Sequence, residues 1–147
     1  MSGVSVDLSL PDPLTVRRWD SPAAAGPVVF SARDQYVEAL WLPTLGPSST
    51  GLLRRLGSMV MVPPHRFNVS LVALSEAVGL GCVAGSNSTL QRSLRRLVRF
   101  DLAQFDGDFE VLAMIPPLPD RLLRRLSMGV VHEHDRLMAL AAAGRAA

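Results

Sequence analysis

The sequence predicts a mostly α domain with a small β-hairpin, an extended N-terminal arm before it and a C-terminal helix after it. Three observations predict this. Apolar residues recur at helical spacing in five stretches from residue 31 onward, each bounded by a capping residue, a proline or a glycine. Asp106-Gly107 separates two short runs of strand-forming residues, the strongest short hairpin signal. One of the five stretches, 88–99, has arginines along one side and leucines along the other. A length of 147 residues suits one domain with arms. The expected boundaries are an arm over 1–30, the domain over 31–115 and the C-terminal helix over 116–147.

Each element follows from local signals. The arm is punctuated by Pro11, Pro13, Pro22 and Pro27. Val4, Val6, Leu8 and Leu10 alternate with polar residues, which allows a short strand there; the rest reads as extended or mobile. Ser31, with Asp34 three residues on, resembles a capping box for a first helix. Tyr36, Val37, Leu40 and Trp41 form its apolar face. Pro43 and the Leu45-Gly46-Pro47 turn end it. Pro47 suits the first position of a second helix, running to about Met61 and stopped by Pro63-Pro64. Phe67 to Val69 suits a short strand. Ser70 caps a third helix that ends at Gly79. A glycine-bearing turn, Leu80 to Asn87, leads into the arginine-bearing helix. Leu102 to Phe105 and Asp108 to Met114 are the hairpin strands. Asp120 caps the last helix, expected to run to about Ala143 and weakened midway by Gly129.

At about 100° per residue, Arg92, Arg95, Arg96 and Arg99 fall within roughly 100° of one another. Leu90, Leu94, Leu97 and Val98 fall on the other side. Such a helix docks through its leucines and offers an acid-free row of guanidinium groups to an anion, for which a nucleic-acid backbone is the obvious candidate. Ser88 and Thr89 point the same way near the helix start. An arginine row is also often just a solvated face, and the two readings stay side by side at this level.

The order of helix, short strand, helix, turn, striped helix and hairpin resembles the winged helix-turn-helix DNA-binding superfamily over roughly Tyr36 to Met114. Val69-Ser70-Leu71-Val72-Ala73-Leu74-Ser75-Glu76-Ala77-Val78-Gly79-Leu80 resembles its first helix of the pair. Leu90 to Ala103 resembles its recognition helix running into the wing, with Asp101 where the usual pattern has glycine. Trp41-Leu42-Pro43-Thr44-Leu45-Gly46-Pro47 resembles the lead-in of winged helices in bacterial and phage replication-initiation proteins and in small actinobacterial proteins. The resemblance implies a recognition helix in the DNA major groove. By position its groove-facing residues are Ser88, Thr89, Gln91, Arg92, Arg95, Arg96 and Arg99. It also implies dimerisation through the C-terminal helix. Two features depart from the pattern. The turn before the striped helix is several residues longer than usual, and the wing carries Asp101, Asp106, Asp108 and Glu110 with no basic residue.

Composition narrows the classes. All 15 basic residues are Arg and the formal net charge is only +2. Codon bias in a GC-rich genome accounts for the absence of Lys, so composition does not decide for nucleic acid. The single cysteine, Cys82, excludes an internal disulfide, and no metal site is expected. His132 and His134 are two apart on a helix and point about 200° from each other, so they do not share a metal. Gly79-Leu80-Gly81 and Gly85 lack the Lys and the strand-to-helix setting of a nucleotide loop. No catalytic constellation is found, and no cofactor is expected. No secretory signal or membrane-length apolar run is present, which predicts a cytoplasmic chain without membrane contact.

The function expected is therefore that of a non-enzymatic, double-stranded-DNA-binding transcriptional regulator working as a dimer. The alternative is a protein-interaction module in a replication or transcription assembly. Its partner would meet the acidic hairpin at Asp106, Asp108 and Glu110, or the acidic wing of a second copy would meet the arginine helix.

Overall fold

Leu14-Thr15-Val16-Arg17 alternates with the period of a strand that buries one face, and this strand changes the architecture. The computed structural model describes residues 10–24, 26–81 and 88–146. In it β1 (Leu14–Arg18) is followed by a 3-10 turn at Pro22–Ala24, by β2 (Phe30–Ser31) and by a π-helical stretch, Val37–Trp41. Next come α1 (Leu42–Leu45), α2 (Pro47–Val60), β3 (Arg66–Val69), α3 (Leu71–Ala77) and α4 (Thr89–Arg99). The strands β4 (Ala103–Asp106), β5 (Asp108–Val111) and β6 (Met114–Ile115) precede α5 (Asp120–Leu123) and α6 (Met128–Ala146).

Four strands form a mixed sheet in the order β3-β1-β5-β4, and β2 pairs with β6 in a second, two-stranded sheet. β1 runs antiparallel to β3 and parallel to β5. With 52% helix and 15% strand, this is an α/β architecture. It corrects the expected mostly α winged helix-turn-helix domain with a small β-hairpin. The physical reason lies in β1. It inserts between β3 and the hairpin, so its main-chain groups pair on both edges while Leu14 and Val16 are fully buried. The strands are two to five residues long, too short for a period of two to stand out among helical patterns.

Local chemistry explains most boundaries. Asp34, not Ser31, caps the first helical segment: its Oδ1 accepts from Tyr36 N at 2.9 Å, while Ser31 Oγ accepts from Arg33 N. Gly46, at φ +84, turns the chain between α1 and α2. α2 then crosses the sheet closely. A Cβ on Gly57 would lie 2.7 Å from Ala32 Cβ and 2.8 Å from the Leu112 carbonyl, so only glycine fits. Ser70 Oγ accepts from Ala73 N and starts α3 as expected. Gly107, at φ +77, closes the hairpin in the register Phe105↔Phe109. The second hairpin strand is shorter than expected: it stops at Val111, and Met114–Ile115 leaves to pair with β2. The last helix divides. Leu122 and Leu123 are buried at the end of α5, and Ser127 Oγ accepts from Val130 N where α6 restarts. The alternating Val4, Val6 and Leu8, and Cys82 in the glycine-bearing turn, lie outside the described residues.

The core gathers around Trp41, Tyr36, Phe109 and the leucines of α2 and α4. Tyr36 is its polar hub. Its ring stacks on Phe30 at 4.0 Å, its hydroxyl accepts from Leu118 N at 2.9 Å, and the same oxygen lies 2.8 Å from His134 Nδ1 on α6. Burial pushes the Tyr36 pKa up to about 12, against the lowering effect of the Leu118 contact. His65, next to Pro63-Pro64, is half-buried and donates from Nδ1 to the Val60 carbonyl at 2.9 Å. Among the described residues no helix is long and apolar enough to cross a membrane.

Candidate nucleic-acid interface

The arginine helix forms where its sequence starts and stops it. Ser88 Oγ accepts from Gln91 N at 3.2 Å, which satisfies one of the donors left open at a helix start. Leu90, Leu94 and Leu97 are buried and fix the helix to the core. At the other end Leu102 N bonds the Leu97 carbonyl and Asp101 N bonds the Val98 carbonyl, a Schellman stop. Asp101 takes the left-handed conformation there, at φ +61. Asp is among the few side chains that tolerate it, so this residue does the conformational work of the glycine it replaces in the resembled pattern.

The other face of α4 looks across an open groove toward the start of α2. The groove holds about 840 Å³ and is lined on one side by Thr89, Arg92, Arg95, Arg96 and Arg99, and on the other by Leu45 to Ser49. Among the described residues no carboxylate lines it. Two contacts set the distance between its walls. Ser49 Oγ donates to the Ser93 carbonyl at 3.0 Å, buried between α2 and α4. Arg96 Nη1 donates to the Leu45 carbonyl at 3.1 Å, so this guanidinium spans the groove at one end. Arg92 Nη2 donates to Thr89 Oγ1 at 3.4 Å. Among the described residues no carboxylate pairs with Arg92, Arg96 or Arg99.

Five of the seven residues expected at the interface therefore come together on this groove. Arg92, Arg96, Arg99 and Thr89 are exposed and Arg95 is half-buried. Ser88 and Gln91 are not part of it: both are turned inward, at 9% and 8% exposure, and the Gln91 Oε1 is buried without a hydrogen-bond partner. The facing wall, Gly46 to Ser49, escaped the sequence reading. Gly-Pro-Ser-Ser reads as a helix start, but nothing local shows which distant helix it will face.

The hairpin differs electrostatically from what its sequence suggests. Arg17 Nη2 lies 3.0 Å from Glu110 Oε2, and Asp108 Oδ2 is 3.8 Å from Arg17 and 3.5 Å from Arg66. β1 and β3 thus bring two arginines onto the outer sheet face beside the hairpin's acids. Glu110 is only 5% exposed. Its hydrogen bond, and then its charge, hold the Arg17 guanidinium above its usual pKa range. Asp106 remains the exposed carboxylate at the tip.

Fold and site together define an α/β chain with an arginine-lined groove that, among the described residues, no carboxylate lines. Comparison with protein-family models, curated proteins and solved structures finds no match to this chain, so the reading of the groove rests on its own geometry.

Proposed function

We propose that the chain is a non-enzymatic, double-stranded-DNA-binding protein acting in transcriptional control, and that it contacts DNA through the arginine face of α4. The observation that carries this reading is the groove itself: four guanidinium groups converge on one concave surface with no carboxylate in its lining. Arginine suits it, since its planar fork matches phosphate oxygens and guanine edges. The pairing of Asp108 and Glu110 with Arg17 and Arg66 adds support. Two of the four acids at the hairpin have their charge, which would repel phosphate, compensated within the chain. Two copies would pair through α6, on which Met128 and Leu140 are exposed.

The test is fluorescence anisotropy of the protein against duplex DNA at two salt concentrations, beside an Arg92→Ala/Arg99→Ala variant. Neither residue bonds another element in the structure, so the variant keeps the α2–α4 contacts. Salt-sensitive binding that the variant loses is the expected result. Equal binding by both proteins would remove α4 from the interface.

A second reading, a protein-interaction module, is favoured by one observation. Trp19, Met61 and Met114 line an apolar recess, with Val62, 57% exposed, next in sequence to Met61. The acidic hairpin favours that reading less than its sequence suggests, since two of its three carboxylates are paired internally.

A further inference from the structure

We infer that the groove between α4 and the first turn of α2 seats the phosphodiester backbone of one DNA strand, so that the chain grips DNA by its backbone and reads base sequence weakly. The inference rests on the proposed function and deepens it, because it names which chemistry of DNA the site takes.

Four features lead there. First, the arginines line a concavity and do not stand on a ridge. A helix meant to reach base edges projects its side chains outward into a DNA groove, whereas here Arg92, Arg95, Arg96 and Arg99 border a trough that also has a second wall. A trough of about 840 Å³ has room for a few nucleotides of sugar-phosphate chain. Second, the neutral polar side chains expected to reach base edges are withdrawn. Ser88 spends its hydroxyl on the cap and Gln91 is buried; Thr89 already accepts from Arg92. What remains on the surface is guanidinium, which contacts phosphate regardless of sequence and, among base edges, chiefly guanine.

Third, the arginines are partly organised before any ligand arrives. The Arg96 bond to the Leu45 carbonyl fixes that guanidinium over the groove and uses one of its five N–H donors. Gly46, at φ +84, takes a conformation that other side chains rarely adopt and turns the chain beside Arg96 at this end of the trough. Fourth, the opposite wall complements the same charge. The first turn of α2 has no acidic residue and no side-chain cap, and its Ser48 and Ser49 line the trough, close to the positive end of the helix dipole. Arg92 and Arg99 are seven residues apart, a rise of about 10 Å, which matches the axial rise of about three phosphates of one strand.

The test compares the full-length chain with Ser48→Glu and Ser48→Lys on two duplexes of equal length and unrelated sequence, with inorganic pyrophosphate as a competitor. Ser48 lines the groove and bonds no other element. Ser48→Glu puts a carboxylate in the trough but at a helix start, where a negative charge favours folding. Binding is therefore expected to fall about tenfold or more at low salt while the melting temperature holds or rises. Ser48→Lys is expected to tighten binding several-fold. The unmodified chain should bind both duplexes within about threefold of each other, with a log–log salt slope near −3 for about three phosphate contacts. Millimolar pyrophosphate should displace little DNA.

Several results would overturn the inference. If Ser48→Glu and Ser48→Lys bind like the parent while Arg92→Ala/Arg99→Ala does not, α4 contacts DNA but the trough holds no strand; the proposed function then survives alone. A preference of tenfold or more for one duplex would replace backbone grip with base readout. Tighter binding of pyrophosphate than of DNA would make the trough a small-anion site. No DNA binding at low salt would end both the inference and the proposed function, and would turn attention to an acidic protein partner.

Discussion

On the outer face of the sheet, Arg17 and Arg66 reach Glu110 and Asp108. On α4, Arg92 and Arg96 hydrogen-bond a threonine hydroxyl and a main-chain carbonyl. The residue type is the same and both regions are partly exposed, yet their positive charge is spent differently. In the sheet each guanidinium is answered by a carboxylate two strands or fewer away, so the region is close to neutral and its arginines serve the fold. In the groove the bonds of Arg92 and Arg96 go to neutral groups, so the charge of these two remains available to a ligand. A net charge of +2 hides this division. What decides a charged surface is which arginines find acids once the chain has folded.

The largest effect that would break the comparison is on DNA affinity. Replacing Arg92, Arg96 and Arg99 with alanine together should weaken duplex binding about 100-fold or more at low salt, since about three phosphate contacts are lost. Arg17→Ala/Arg66→Ala should leave affinity within about threefold and lower thermal stability instead, because it strands the buried Glu110 carboxylate. Anisotropy and thermal melting on both variants give the answer. Comparable affinity losses from both would mean that the sheet arginines also face the ligand.

Much of this was legible in the sequence, for identifiable reasons. The α4 stripe follows from helical periodicity alone, and the cap at Ser70 and the turn at Gly107 follow from turn chemistry that acts within three residues; Ser88, expected on the groove face, caps α4 instead. What the sequence hid depends on residues far apart. β1 reads as a short alternation in a Pro-rich segment, and its partners Phe67 and Phe109 lie about fifty and ninety residues away. The neutralised hairpin was hidden for the same reason, since Arg17 and Glu110 are 93 positions apart. Gln91 was placed on the groove face by its position in the resembled pattern, but it is buried together with Leu90 and Leu94.

A second effect separates the arginine regions from the core they stand on. Tyr36 ionises only at about pH 12 in the folded chain, against 10.0 for an ordinary tyrosine, because burial disfavours the phenolate. Between these values the unfolded chain has released a proton that the folded chain still holds. The Tyr36 contribution is therefore complete below pH 10 and is lost as pH rises toward 12. Arginines stay charged over this window. Denaturant titrations should show stability falling from pH 10 to 12 in the parent and a flatter profile in Tyr36→Phe, which lacks the ionising group. Equal slopes would place the alkaline transition elsewhere.

A smaller effect concerns the end of α4. Asp101 occupies a left-handed position that glycine adopts without strain, and it places a negative charge at a helix C-terminus. Asp101→Gly should raise stability by about 0.5–1 kcal/mol. It should leave DNA binding equal or slightly tighter, since it also removes an acid two residues from Arg99. A destabilised variant would mean that the Asp101 side chain makes a contact worth more than the strain it relieves.

The smallest effect sharpens the comparison most directly. Asp108 is the one carboxylate shared by Arg17 and Arg66, and Asp108→Asn removes its charge while keeping its shape. Arg66 then loses its ion partner, while Arg17 keeps Glu110 at 3.0 Å. One added positive charge away from the groove should raise duplex affinity by only about twofold at low salt, and by less in higher salt, where exposed charges beyond about 10 Å are screened. The same substitution in an Arg92→Ala/Arg99→Ala background should not restore binding. If it did, freeing an arginine on the sheet would be as good as having one on α4. The distinction between the regions would then lie in pairing alone and not in the shape of the groove.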